Sequence, residues 1–461
     1  MTDPMCDRTW RRCRRLGALV VPFLAACGSG AFAAPQPAAR AFVNAVGRHA
    51  ASAKIRHVVV IVQENRSLNN LFYGFPGADT TTYGYNSKNE KIELQPVGLD
   101  TKWDLDHSSY SFYAACNGTG TYPGTDCRMN GFNKEAYYCG HSSEPRCPNQ
   151  NPPYGYVPHD QTRAYFFLGD HYVLADEMYA SNFDASSFIS HQYIIAAQSE
   201  SAVNYPYYQW GCSGGGGDYI QTVTKRRQFG SYIPVCWDTT TIGDEMDDAG
   251  LTWAFYASAI DSDGDLWSAY QNINHIYNGP DWRKDVISPQ TKFFDDVAQG
   301  RLRDLSWITP TCANSDHAGC DSKTGPSWVA SLVNAVGESK YWNSTAIFIF
   351  WDDYGGWYDP KAPALKDYDG LGLRIPLLIV SPYAKDGHVS HVHYEHGSIL
   401  KFVEDTFGLA RLAASDKRAR SPEDDAFDFN QPPRKFVAVP SEHGIEYFKH
   451  QPLDLRIPDS E

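Results

Sequence analysis

Two kinds of apolar pattern alternate along the chain. Ile55-Arg-His-Val-Val-Val-Ile-Val62, Thr345-Ala-Ile-Phe-Ile-Phe-Trp351 and Ile375-Pro-Leu-Leu-Ile-Val380 are short, nearly continuous apolar runs rich in β-branched and aromatic residues, as strands buried on both faces must be. Between and after them, Thr241 to Ala249, Pro326 to Val336 and Ser398 to Thr406 carry helical spacing with plausible start and stop residues. Interior strands alternating with helices predict an α/β fold.

Two of these strands run out into chemically distinctive residues. The run ending at Trp351 empties into Asp352-Asp353 and then Gly355-Gly356, and the run ending at Val62 empties into Gln63-Glu64-Asn65-Arg66-Ser67. Sites in open α/β sheets lie at the carboxyl ends of strands. Carboxylate and amide oxygens are ligands for hard cations. If the two strands are parallel neighbours, Glu64, Asn65, Asp352 and Asp353 converge on one cation although nearly three hundred residues separate them. Either pair alone is an ordinary turn or helix cap; two pairs at the ends of two strongly apolar strands favour a metal site. An all-oxygen set favours one divalent cation of the calcium, magnesium or manganese kind over zinc.

With these residues in view the chain resembles a known family, the bacterial and plant phosphoesterases that include non-specific phospholipases C and the related acid phosphatases. The resemblance is carried by His57 to Ser67, Ser181 to Gln198, Thr345 to Asp359 and Gly372 to Gly408, in the family's order, over roughly residues 53–410. It implies an alkaline-phosphatase-like three-layer α/β/α sandwich with long disulfide-tied loop insertions, and a metal-assisted serine or threonine nucleophile. On the family's register the nucleophile and further metal ligand is Ser187, with Ser190 in place of an asparagine; Ser186 is its rival, one residue away. A serine ahead of an apolar run is also an ordinary N-cap. The resemblance further places His107 and His317 where phosphoryl transfer needs positive groups and a proton for the leaving alcohol. His391 and His396 are weaker candidates. The chain departs from the pattern at Asp359-Pro360, where many relatives have Asp-His.

Charge and cysteines narrow the setting. The formal charge is -14, and residues 1–33 hold five Arg against two Asp, which leaves -17 on the rest. Such a surface argues against nucleic acid and against electrostatic binding to an anionic membrane, so a phospholipid would have to be met through aromatic side chains. The 12 Trp, 29 Tyr and 23 Phe make that feasible. Residues 1–33 read as a signal peptide: Arg11-Arg12-Cys13-Arg14-Arg15, the apolar run Leu16 to Ala26, and cleavage after Ala33. The run is too short for a stable anchor, and no other segment is apolar enough to span a membrane. Leu24-Ala25-Ala26-Cys27 leaves a lipoprotein anchor through Cys27 as the lesser option beside a secreted or periplasmic protein. Outside this segment stand eight cysteines, whose order suggests the bridges Cys116–Cys127, Cys139–Cys147, Cys212–Cys236 and Cys312–Cys320, as export favours.

The organisation expected is a linker over 34–52, a catalytic domain over 53–412 and a C-terminal extension over 413–461, packed on or trailing from the domain, of which 413–434 is polar enough for a surface tail. Ser213-Gly214-Gly215-Gly216-Gly217 lacks a P-loop lysine and reads as a loop. Asp261-Ser262-Asp263-Gly264-Asp265 opens like a calcium loop but has Asn272 at the twelfth position, and reads as a turn. The function expected is an exported, metal-dependent phosphoesterase with a phosphoserine intermediate, of phospholipase C type. An acid phosphatase of soluble monoesters and a non-catalytic surface binding protein of the same fold are the alternatives. A sulfatase is disfavoured, since no Cys-x-Pro-x-Arg or Ser-x-Pro-x-Arg site is present.

Overall fold

The computed structural model describes residues 50–138, 150–208, 211–258, 267–454 and 456. The signal segment with Cys27, most of the linker, Cys139 and Cys147, and Asp261 to Asp265 lie outside the described residues.

Strands β1 (His57–Gln63), β2 (Val173–Tyr179), β3 (Trp253–Tyr256), β4 (Val286–Ile287), β5 (Leu305–Ile308), β6 (Thr345–Trp351), β7 (Arg374–Val380), β8 (His388–Ser390) and β9 (Tyr394–Glu395) form one sheet. Their order is β4-β3-β5-β1-β6-β7-β2-β8, with β9 also paired to β2. Within this sheet only β7 runs antiparallel to its neighbours; the others are mutually parallel. The carboxyl ends of β1, β2, β5, β6 and β9 therefore emerge along one edge. β1 and β6 are direct neighbours in a register that sets Gln63 opposite Trp351. Neighbouring strands lie about 4.8 Å apart, so Glu64 and Asp352, the next residue of each, are forced side by side.

Helices cover both faces. Alternate residues of a strand point to opposite sides, and in β6 the ring of Phe348 meets Phe402 at 5.0 Å while that of Trp351 meets Tyr165 at 5.0 Å. Tyr165 belongs to α1 (Arg163–His171) and Phe402 to α5 (His396–Phe407), so these helices lie on opposite faces. α4 (Gly325–Gly337) packs with α1, and α2 (Ser187–Ala196) with α5, which completes the three layers expected. α3 (Ile242–Asp248) opens with a reciprocal cap between Thr241 and Asp244. All seven residues of β6 are buried, and truncating a phenylalanine in such a core costs about 3–5 kcal/mol.

The C-terminal extension differs from the tail its polarity suggested. Residues Ala414–Arg418 form α6, which packs on α5. The charges responsible for that polarity are consumed in bonds: Arg418 donates to Glu395 Oε2 at 2.7 Å and to the Ser181 carbonyl at 3.0 Å, and Asp416 accepts from Ala413 N at 3.0 Å. Further on, Trp342 Nε1 donates to the Arg434 carbonyl at 2.7 Å and Asn334 pairs with the Val439 backbone. Three of the expected disulfides are formed, Cys116–Cys127, Cys212–Cys236 and Cys312–Cys320. The glycine run lies in a 3₁₀ turn, Gly211–Gly217, tied down by the second of them.

Candidate active site

The turn after β1 is built around an asparagine in the left-handed region. Asn65 has φ +61°, a conformation asparagine tolerates better than most side chains. Gly355, at φ +59°, crosses so close that a Cβ there would stand 2.0 Å from the Asn65 carbonyl oxygen. This is the physical reason for the glycine pair after Asp352-Asp353: the second loop has to lie against the backbone of the first. The Asn65 main-chain N–H then donates to Asp352 Oδ1 at 3.3 Å and Gly355 N donates to Asp353 Oδ1 at 2.6 Å, which aims the other oxygen of Asp353 inward.

Ser187, the first residue of α2, faces the acidic residues. Its Oγ lies 3.5 Å from Glu64 Oε2, from Asn65 Oδ1 and from Asp353 Oδ2. Ser186 is turned away, its hydroxyl donating to Asp184 Oδ1 at 2.8 Å. Burial pushes the Asp184 carboxyl up to about 6. Of the two rival serines, Ser187 alone is aimed at Glu64 and Asp353. Glu64, Asn65, Ser187, Asp352 and Asp353 are all buried.

The histidines stand on the far side of the Asn65 amide. His107 Nδ1 bonds the Leu105 carbonyl at 2.9 Å, which directs Nε2 to the Asn65 amide at 2.7 Å and to Asp353 Oδ2 at 3.9 Å. His317 Nδ1 bonds the Ala318 carbonyl, and its Nε2 lies 3.2 Å from the Asn65 side chain. The loop carrying His317 is closed by Cys312–Cys320 and pinned through Asp316, whose Oδ2 accepts from Tyr165 at 2.7 Å and from Trp351 at 3.0 Å. Burial raises the Asp316 carboxyl to about 6.

The Asn65 amide has two settings. In one, its nitrogen donates to Glu64 Oε2 at 2.9 Å and Asp352 Oδ1 at 3.1 Å while its oxygen accepts from both histidines, which therefore carry protons on both nitrogens. In the other, its oxygen joins the carboxylate oxygens, 3.5 Å from the Ser187 hydroxyl, as one more oxygen donor of the cluster. A buried carboxylate oxygen, Asp352 Oδ2, also has no hydrogen-bond partner among the described residues. This gathering of buried oxygens, one of them unpartnered, fits a divalent cation.

One residue of this set escaped the sequence reading. His191 Nε2 lies 2.9 Å from Glu64 Oε1 and 3.8 Å from Asp352 Oδ2, and the ligand atoms of Glu64, His191 and Asp352 all fall within 4.8 Å of one another. A nitrogen donor beside the oxygens removes the all-oxygen premise on which zinc was disfavoured. The signal was present: His191 is four residues after Ser187, one turn along the same helix face. Two candidates are not brought in as expected. His391 bonds Asp176 Oδ1 at 2.9 Å from a largely exposed position. His396 is buried beside Phe350 and held down to about 3 by that burial, so it is neutral. Asp359, the residue that the chain shares with the Asp-His pattern, has a structural role, while the departure itself, Pro360, has no structural explanation. Asp359 is fully buried against Arg374, Oδ1 to Nε at 3.1 Å, and accepts from Asn69 N at 3.2 Å, so it clamps the turn after β1 to β7.

The profile of the phosphoesterase family matches residues 55–410. The chain is similar to non-specific phospholipase C1 of Arabidopsis thaliana, 24% identical over 410 residues that cover 80% of this chain and 70% of that protein. It is 22% identical to phospholipase C A of Mycobacterium tuberculosis over 402 residues, 77% of this chain and 73% of the relative. Against the non-hemolytic phospholipase C of Pseudomonas aeruginosa the figures are 23% over 417 residues, 78% of this chain and 55% of the relative, so the chain spans about half the length of that protein. Among solved structures, an alkaline phosphatase superfamily protein from Vibrio parahaemolyticus aligns with a TM-score of 0.36 and 11% identity over 81% of this chain and 72% of that one.

Proposed function

The chain belongs to the phosphoesterase family, and on that premise we propose that it is an exported, metal-dependent phosphoesterase of phospholipase C type that works through a phosphoserine intermediate. The observation that carries this reading is the position of Ser187 Oγ, at the positive end of α2 and 3.5 Å from Glu64, Asn65 and Asp353. A serine hydroxyl is a weak nucleophile at neutral pH and has to be activated. Glu64, Asn65, Asp352 and Asp353, with His191 alongside, would hold a divalent cation, which supplies Lewis acidity toward the hydroxyl and the phosphoryl oxygens.

Ser187 Oγ passes its proton to Asp353 Oδ2, 3.5 Å away, and forms a bond to phosphorus as the bond to the alcohol oxygen breaks. His317 gives the departing oxygen its proton from Nε2, the nitrogen left for that task because Nδ1 is committed to the Ala318 carbonyl. His107, fixed in the same way through Leu105, presents Nε2 to the phosphoryl oxygens. Water then attacks phosphorus, yields a proton to His317 Nε2 and breaks the seryl ester, whose oxygen recovers its proton from Asp353. It releases a phosphorylated headgroup if the leaving alcohol was diacylglycerol, or inorganic phosphate if the substrate was a monoester.

Phospholipid is ranked ahead of soluble monoesters because exposed tyrosines, among them Tyr110, Tyr137, Tyr138, Tyr207 and Tyr208, extend from the segments that carry His107 and come after α2. Export is favoured by the formed disulfides, and among the described residues no helix is long and apolar enough to cross a membrane. The test is parallel hydrolysis of phosphatidylcholine and para-nitrophenyl phosphate by wild type and Ser187→Ala, each with and without chelator. Wild-type activity lost in the mutant and on chelation is the expected result. Activity that survives both overturns the assignment of nucleophile and metal, and activity on the monoester alone moves the protein to the acid phosphatase branch.

A further inference from the structure

The main-chain amide of the nucleophile already has an oxygen bound to it. Ser187 N stands at the first position of α2, whose N-cap Ser186 makes no side-chain cap and gives its hydroxyl to Asp184. Instead it donates to the phenolic oxygen of Tyr205 at 3.2 Å, and the same Oη lies 3.4 Å from His107 Nε2. Tyr205 thus bridges the two groups between which a phosphoryl oxygen has to fit.

The bridge rests on a firmly held segment. The preceding residue, Asn204, sits at φ +63°, gives its amide to Asp184 Oδ2 at 2.5 Å, and accepts through Oδ1 from Ser109 N at 3.1 Å and Ser109 Oγ at 2.7 Å. Val203 pairs with Gln221 in a small sheet, and the Tyr205 ring packs on the apolar cluster of Phe188 and Trp267. The carboxylate that pulls Ser186 off the helix end is therefore the one that anchors the tyrosine's segment beside it. Asp184 does both tasks with its two oxygens.

The first amides of a helix are a natural seat for a phosphate oxygen, and here a phenolic oxygen occupies one. A phenol that accepts from an amide keeps its own proton for a second partner. We propose that Tyr205 is a catalytic residue of the reaction: with Oη held by Ser187 N–H, its O–H donates to a non-bridging phosphoryl oxygen as Ser187 Oγ attacks. Negative charge accumulates on those oxygens in the transition state, so a fixed neutral donor stabilises it more than the bound ester. The proposal rests on the reading of Ser187 as nucleophile.

Tyr205→Phe keeps the ring in its apolar seat and removes only the hydroxyl. Expected is a fall in kcat of about 100-fold, the effect of deleting one preorganised donor, with KM changed much less. Orthovanadate takes the trigonal-bipyramidal shape of the transition state, and its affinity, measured by calorimetric titration without turnover, falls by a comparable factor while that of inorganic phosphate falls less. Tyr447→Phe, at an exposed position in the C-terminal extension, serves as the control and retains wild-type values. A Tyr205→Phe enzyme with vanadate affinity and kcat within about twofold of wild type carries no sign of a transition-state bond and overturns the proposal. Tighter phosphate binding in the variant overturns it too, since the hydroxyl would then be a plug. Ser187→Ala separates the two levels: if it is inactive while Tyr205→Phe is unimpaired, only the tyrosine's role fails, and if it is as active as wild type, the nucleophile reading fails with it.

Discussion

Replacing Asp352 by asparagine should change stability in opposite directions with and without a divalent cation. Glu64 and Asp352 are fully buried, with ligand oxygens within 4.8 Å of each other. At an effective dielectric constant near 20, two unit charges at that separation repel by about 3.5 kcal/mol. His191, 2.9 Å from Glu64, offsets part of this. Chelated wild type carries what is left of the repulsion in its native state. Asp352→Asn removes the charge, retains an oxygen for the Asn65 amide bond at 3.3 Å, and places an N–H where the unpartnered Oδ2 stands. In chelator the variant should therefore be as stable as wild type or more so, by up to about 2 kcal/mol on the same Coulomb scale. With cation at about one hundred times the wild-type dissociation constant, wild type gains about 2.7 kcal/mol by linkage and the variant gains little. Urea unfolding followed by tryptophan fluorescence, in chelator and in calcium, magnesium, manganese or zinc, measures both differences. Equal destabilisation of the variant in all conditions would refute the reasoning, because Asp352 would then be a hydrogen-bonded structural carboxylate and not a member of a charge cluster built for a cation.

The same geometry sets three further outcomes. His191→Gln should weaken the cation by about 10- to 100-fold, the usual loss when a ligand's supporting partner is removed, and calorimetric titration with an unchanged affinity would exclude His191 from the centre. Replacing Cys312 and Cys320 by serine should cost about 2.5 kcal/mol from the entropy of so short a loop and lower kcat through a loosened His317, whereas unchanged kcat would show that Asp316 alone holds the loop. Asp369, fully buried beside Tyr193 and near Asp367, Asp184 and Arg227, has its carboxyl pushed up to about 7, first by burial. The folded protein therefore holds this proton where the unfolded chain has lost it. Stability tied to it is fully present below about pH 4, the ordinary aspartate range, and declines as pH rises toward 7, by at most about 1.4 kcal/mol per unit. Asp369→Asn should flatten that slope between pH 4 and 7, and an unaltered slope places the dependence elsewhere.

The strands legible in the sequence are those whose apolar runs are unbroken, β1, β6 and β7, because burial on both faces leaves no polar position to obscure them. Two of these ended in carboxylate and amide clusters, which was enough to name Glu64, Asn65, Asp352 and Asp353, and the family resemblance added Ser187, His107 and His317. Only the surface tail expected over 413–434 differs from the structure, for the converse reason. Its charges look solvated in a linear chain, yet Arg418 and Asp416 bond to the core and to their own helix.

Other facts belong to the tertiary structure alone. Ser187 is distinguished from Ser186 by the direction of two hydroxyls one residue apart, which Asp184 settles by accepting from one of them. Tyr205 reaches the Ser187 amide because Asn204 turns in the left-handed region and is anchored by Asp184 and Ser109. No pattern in residues 204 to 208 announces that contact. The sequence determined which side chains could carry the chemistry and on which strand ends they stand, since burial and periodicity are properties of a local segment. Which atom of each side chain faces which partner depends on register and loop crossings between segments far apart, and only folding in three dimensions decides it.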